Sequence, residues 1–146
     1  MGKKQPELRA LFIDRCLGRI DVPNALSAAG FSVVLHDDLF RPDTQDEHWI
    51  RDVAKEGLPI ITKDRAISRR PLEIEAFRSA KAYVFALIGA SVTGAEQAAA
   101  ITKAAKRICN IVATCEPPVF ATISRSGTVV IKDGGKKVKK RPRRRK

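Results

Sequence analysis

Aromatic residues are scarce in this chain: one Trp, one Tyr and six Phe in 146 residues. A platform that stacks successive bases needs more than that, so sequence reading through aromatic rings is not expected. Cysteine is scarcer still. Cys16, Cys109 and Cys115 are odd in number and lack CxxC spacing, which argues for reduced thiols over a disulfide frame or a zinc site. A catalytic thiol is the lesser reading, because Cys most often serves as a small buried hydrophobe. No apolar run reaches the length of a membrane span, and the polar opening Met-Gly-Lys-Lys-Gln-Pro-Glu-Leu-Arg is not built like a secretory signal. A cytosolic protein with no membrane partner is the expectation.

Acidic residues are also in deficit, 16 against 28 Lys and Arg, for a net charge of +12. The excess is concentrated at one end. The last fifteen residues hold ten Lys or Arg and one Asp, which leaves 18 cations and 15 anions for the rest. Such a block repels itself and offers nothing to a core, so a disordered arm that grips phosphate is expected over residues 133–146. Residues 1–132 are expected to form one domain, with room for a real core.

Within that domain short apolar runs alternate with amphipathic stretches, the pattern of an α/β fold with a largely parallel sheet. Strands are predicted at residues 11–14, 32–36, 58–61 and 82–88, the last as a central strand. A final hairpin is predicted from 119–123 and 128–131 around Ser-Arg-Ser-Gly. Helices are predicted at 22–29, 44–56, 71–80 and 94–114, with Pro117 and Pro118 stopping the longest. Residues 37–43 read as a polar loop broken by Pro42. Trp49 with Val53, and Ile50 with Ala54, give the second helix its apolar face.

Three aspartates then stand out. Asp14 closes Ala-Leu-Phe-Ile-Asp, Asp64 closes Leu-Pro-Ile-Ile-Thr-Lys-Asp, and Asp46 lies at a helix start. Parallel strands bring their carboxyl ends to one edge of a sheet, where ligands bind in open α/β folds. Carboxylates gathered there suit Mg²⁺ or Mn²⁺, ions that supply both a nucleophilic water and charge neutralisation for phosphodiester hydrolysis. Each acid also has a plainer role. Asp14 and Asp64 can cap turns. Asp46 and Glu47 suit a helix N-terminus through the macrodipole, and Thr44 with Glu47 has capping-box spacing. His36 and His48 lack metal-ligand spacing, and Asp37 and Asp38 follow a strand end. Arg15, Lys63, Arg65, Arg69 and Arg70 flank the acids and could position a polyanion.

These segments resemble the PIN-like domain family, in the compact form found in VapC-type toxin ribonucleases. The likeness spans about residues 8–132 and rests on three motifs. They are Phe-Ile-Asp-Arg-Cys-Leu at 12–17, Asp-Glu-His-Trp-Ile at 46–50 followed by Ala54, and Ile-Ile-Thr-Lys-Asp-Arg at 60–65. The resemblance implies a three-layer α/β/α fold and a metal-dependent endoribonuclease, often dimeric, silenced by a cognate antitoxin protein. It implies that Asp14, Asp46 and Asp64 bind Mg²⁺ or Mn²⁺ and orient the attacking water, with Thr62 supporting them through its hydroxyl. Larger PIN domains carry a further acid between the first strand and the Asp46-type helix. No clear counterpart stands here, and Asp37, Asp38, Asp43 and Glu47 are the candidates to replace it. The leading expectation is an RNA-cleaving toxin. Its rival is a non-catalytic nucleic-acid-binding PIN-like module.

Overall fold

The computed structural model describes residues 10–41, 43–63, 71–89 and 93–134, without the side chains of residues 46, 47, 72 and 73. Six strands form one sheet: β1 (Ala10–Ile13), β2 (Ser32–Leu35), β3 (Ile60–Thr62), β4 (Tyr83–Leu87), β5 (Val119–Ile123) and β6 (Val129–Gly134). Their order across the sheet is β2-β1-β3-β4-β5-β6. The first five are parallel and β6 runs antiparallel to β5. The chain steps outward from β1 to β2, crosses back over β1 to β3, and thereafter builds in the other direction. That reversal between β1 and β3 opens a crevice at the strand ends.

The apolar runs become interior strands because both sheet faces are covered. Side chains alternate, so Leu11 and Ile13 point to one face while Phe12 points to the other. Helices α1 (Asp21–Ala28) and α5 (Gly94–Thr114) cover the first face. They bury Val22, Leu26, Ile101, Ala104, Ala105, Ile108 and Ile111 over Ile61, Phe85, Ala121 and Ile123. Helices α3 (Asp46–Lys55) and α4 (Pro71–Ala80) cover the second, with Trp49, Ile50, Val53, Ala76 and Phe77 over Phe12, Ile60, Val84 and Phe120. Phe12 and Trp49 stack with ring centroids 5.3 Å apart. The fold thus has the largely parallel sheet and closing hairpin that the pattern of runs predicted, in the three α/β/α layers that the resemblance implied.

Helix α5 has the predicted limits. Thr93 and Glu96 form a full capping box at its start, and the Tyr83 hydroxyl donates to the Cys115 carbonyl at 2.7 Å just past its end. Two local readings are corrected. Residues 36–39 are a short helix, α2 (His36–Leu39), where the end of a strand and the start of a polar loop were expected. His36 is buried among the rings of Phe12, Phe40 and Trp49, and that packing winds the backbone despite two successive aspartates. Nor does Thr44 begin α3. Its N-cap is Gln45, whose side chain makes no capping bond.

The hairpin is longer than predicted. β6 continues past Ile131 to Gly134, with a bulge that leaves Lys132 out of register between Ile131 and Asp133. Asp133 accepts from Arg78 at 2.7 Å. Because β6 runs backwards, Gly134 pairs with Val119, at the edge where the parallel strands begin. The basic arm expected over 133–146 otherwise lies outside the described residues.

Candidate active site

Asp14 stands directly after β1, in the crevice where the strand order reverses. A single 3-10 turn, Arg15–Leu17, follows it, and Asp14 caps that turn by accepting from the Arg15 backbone N–H at 2.7 Å through Oδ1. Its other oxygen, Oδ2, accepts from the Thr62 hydroxyl at 2.8 Å. Thr62 ends β3 and is wholly buried. The backbone makes the same link, since Asp14 N–H donates to Ile61 O at 3.0 Å. Both carboxylate oxygens therefore have fixed directions, and the cap role and an oriented carboxylate coexist in one side chain. Hydrogen-bonded carboxylates of this kind are the usual form of a metal ligand held ready by its surroundings.

Cys16 completes this cluster, a role that its reading as a small buried hydrophobe did not anticipate. Its sulfur lies 3.4 Å from Thr62 Oγ1 and 3.7 Å from Asp14 Oδ2, and accepts from the Lys63 backbone N–H at 3.2 Å. Burial foremost, and then the charge of Asp14, pushes its pKa up to about 11. At neutral pH it is a thiol, able to donate to the acid beside it. Thiolate nucleophilic chemistry is not what this setting favours.

Arg15 and Arg19 turn the other way, onto Asp37 at the start of α2. Arg15 Nε donates to Asp37 Oδ1 at 2.8 Å, Arg19 Nη1 donates to Oδ2 at 3.1 Å, and His36 Nδ1 lies 3.4 Å from Oδ1. Desolvation is the largest single influence on Asp37 and works to raise its pKa. The hydrogen bonds from Arg15, His36 and Arg19, with the charge of Arg15, outweigh it and hold the carboxyl below its ordinary range. These residues line a pocket of about 330 Å³ with Ile13, Gly18, Ile20 and Leu35. Asp37 is thus engaged as a partner to two cations.

A family model described as a PIN like domain matches residues 10–89, more than half of the chain. The chain belongs to the PIN-like domain family. No curated protein and no solved structure matches it.

The motifs that carried the resemblance sit on this PIN-like frame as follows. Asp14, Thr62 and Lys63 meet at the ends of β1 and β3. Asp46 is the first residue of α3, a helix that starts after the strand-end edge and returns the chain to the start of β3. Asp64, Arg65, Arg69 and Arg70 lie outside the described residues. Among the described side chains no group of three or more His, Cys, Asp or Glu could hold a metal ion, a set that includes neither Asp46 nor Asp64. Asp38 and Asp43 are exposed, and Asp43 pairs with Arg41 at 3.4 Å. Two acids or cations absent from the sequence reading also belong to this edge. Arg19 was invisible because its partner is 18 residues away. Asp21 opens α1, the helix after the first strand, and its carboxylate abuts Gly94 at the start of α5. Its place in the first turn was the available signal.

Proposed function

We propose that this PIN-like protein is a metal-dependent endoribonuclease that hydrolyses RNA phosphodiesters at Asp14, Asp46 and Asp64. The observation that supports the reading is the Asp14 carboxylate, held through both oxygens beside the reversal point of the sheet. In this reading Asp14, Asp46 and Asp64 hold Mg²⁺ or Mn²⁺, the hard ions that carboxylates prefer. When bound, the ion supplies charge neutralisation at the phosphate and a more acidic water. Thr62 keeps Asp14 from rotating away. Lys63, Arg15, Arg65, Arg69 and Arg70 position the phosphates, Arg15 through the guanidinium nitrogens that Asp37 leaves available. Among the described residues no helix is long and apolar enough to cross a membrane.

The finer proposal is a toxin restrained by a cognate antitoxin protein and active as a homodimer. It draws on the likeness of the three motifs to VapC-type ribonucleases. Growth arrest on expression, relieved by co-expressing the adjacent small DNA-binding protein, is its expected outcome.

Cleavage of an end-labelled RNA with and without Mn²⁺ tests the core of the reading. The parent cuts only with metal, and Asp14→Asn and Asp64→Asn do not cut while keeping the parent's circular dichroism. Cutting at parental rate by both variants, with contaminating nuclease excluded, would refute it. The rival reading, a non-catalytic nucleic-acid-binding module, is favoured by the engagement of Asp37 with Arg15 and Arg19, which removes one candidate for a further acid. It requires RNA binding that a chelator leaves unchanged and no cleavage under any metal.

A further inference from the structure

A second cavity opens on the same strand-end edge, on the far side of the sheet from β2. It measures about 610 Å³ and is lined by Ile88, Gly89, Glu96, Ser124, Arg125 and Ser126. That size lies within the range of small-ligand sites. Its floor is the end of β4, its wall the turn joining β5 to β6, and its side the first turn of α5.

The turn is held in place by two glycines. Gly89 has φ +108°, and a Cβ there would come 2.6 Å from Arg125 Cγ and 2.8 Å from Cδ. The aliphatic stem of Arg125 thus lies flat across the end of β4, where no other residue would let it. Gly127, with φ +88°, lets Lys103 of α5 press against the turn in the same way. Arg125 has no ion partner among the described residues, in contrast to Arg15 and Arg19. Beside it the hydroxyls of Ser124 and Ser126 lie 3.0 Å apart, and Ser124 Oγ accepts from Thr128 N–H at 3.1 Å. Glu96 faces the cavity from α5. Its Oε1 serves the capping box by accepting from Thr93 N–H at 2.9 Å, which leaves Oε2 to a ligand.

A cation, hydroxyls and a carboxylate around one cavity suit a molecule with a phosphate and a sugar diol. We infer that this cavity holds one nucleotide of a bound RNA strand, with its phosphate on Arg125 and its ribose 2′-hydroxyl on Glu96. Ile88 supplies an apolar surface for the sugar. The 2′-hydroxyl is what separates RNA from DNA, and a carboxylate is a fitting acceptor for it. The cavity lies three strands along from Asp14. At about 4.8 Å per strand that is roughly 14 Å, a span that a few nucleotides cover. The inference rests on the ribonuclease reading for its ligand and extends the bound strand from the crevice to the hairpin.

The test measures binding apart from cutting. Fluorescence anisotropy in chelator compares single-stranded RNA and DNA of one sequence on the full chain, so that the charge of the arm is common to every variant. The parent binds RNA more tightly than DNA. Arg125→Gln keeps the stem on Gly89 and removes the charge. It weakens RNA binding about tenfold and lowers the salt slope by about one. Glu96→Gln keeps a capping-box residue and abolishes the preference for RNA. Arg125→Gln binding like the parent at every salt concentration overturns the inference, as does a parent that binds DNA and RNA alike. RNA binding through Arg125 without cleavage sinks the ribonuclease reading alone. Metal-dependent cleavage with Arg125 indifferent to RNA sinks the hairpin site alone.

Discussion

The two ends of the sheet edge are built on opposite plans. Around β1 and β2, Asp14, Arg15, Arg19 and Asp37 each have a protein partner. Asp14 is held by Thr62 and the Arg15 backbone, and Arg15 and Arg19 are held by Asp37. Around the hairpin, Arg125 is placed by packing on Gly89 and has no counter-ion among the described residues. The first arrangement fixes directions, which chemistry on a phosphodiester needs. The second leaves charge available, which capture of a polyanion needs. One edge therefore divides into a part that orients and a part that grips.

That division can be broken in four ways, from the largest expected effect to the smallest. Asp46→Asn strikes the orienting part. Lost cleavage is expected, with a cost to stability of only about 0.3–1 kcal/mol from the helix macrodipole. Full cleavage with that same small loss of stability returns Asp46 to the role of a helix-start acid. Thr62→Val removes the hydroxyl from Asp14 Oδ2 and is expected to lower cleavage about 10–100-fold. Unchanged turnover in single-turnover kinetics would mean that Asp14 needs no orientation.

Gly89→Ala strikes the gripping part. The added methyl collides with Arg125 in a left-handed backbone conformation, so a cost of about 1 kcal/mol or more is expected in thermal denaturation. RNA binding should fall together with stability. A variant that melts lower yet binds RNA as before detaches Arg125 from the grip.

Asp37→Asn has the smallest expected effect and a defined pH signature. The folded carboxyl lies below its ordinary 3.8. Its contribution is therefore complete above the unfolded value and fades as pH falls through the lowered folded one. The melting temperatures of parent and variant should differ slightly at neutral pH and converge in acid below about 3.8. A gap that widens in acid contradicts the pairing with Arg15 and Arg19.

How much of this was legible in the chain depended on the range of the interaction. The apolar runs reported interior strands because a strand covered on both faces has no polar side to show. α5 could be read from its start at Gly94 to its end, since a stripe of Ile and Ala precedes two prolines. α2 could not, because its two aspartates suit a loop and the ring packing of His36 is tertiary. The Asp14 and Thr62 motifs were readable as strand-end residues. Cys16 was passed over because a thiol gives no local sign of the neighbours it will meet. Arg125 read only as part of a turn, and nothing near it in sequence names Gly89 as the surface on which it rests.

The bond between Thr62 and Asp14 joins residues 48 positions apart, and this has a bearing on timing. A polypeptide still growing on the ribosome presents the Asp14 carboxylate long before its hydroxyl partner has been synthesised and paired. The oriented acid comes into being only when β3 docks beside β1, so an unfinished or misfolded copy lacks the held carboxylate on which the proposed cleavage depends.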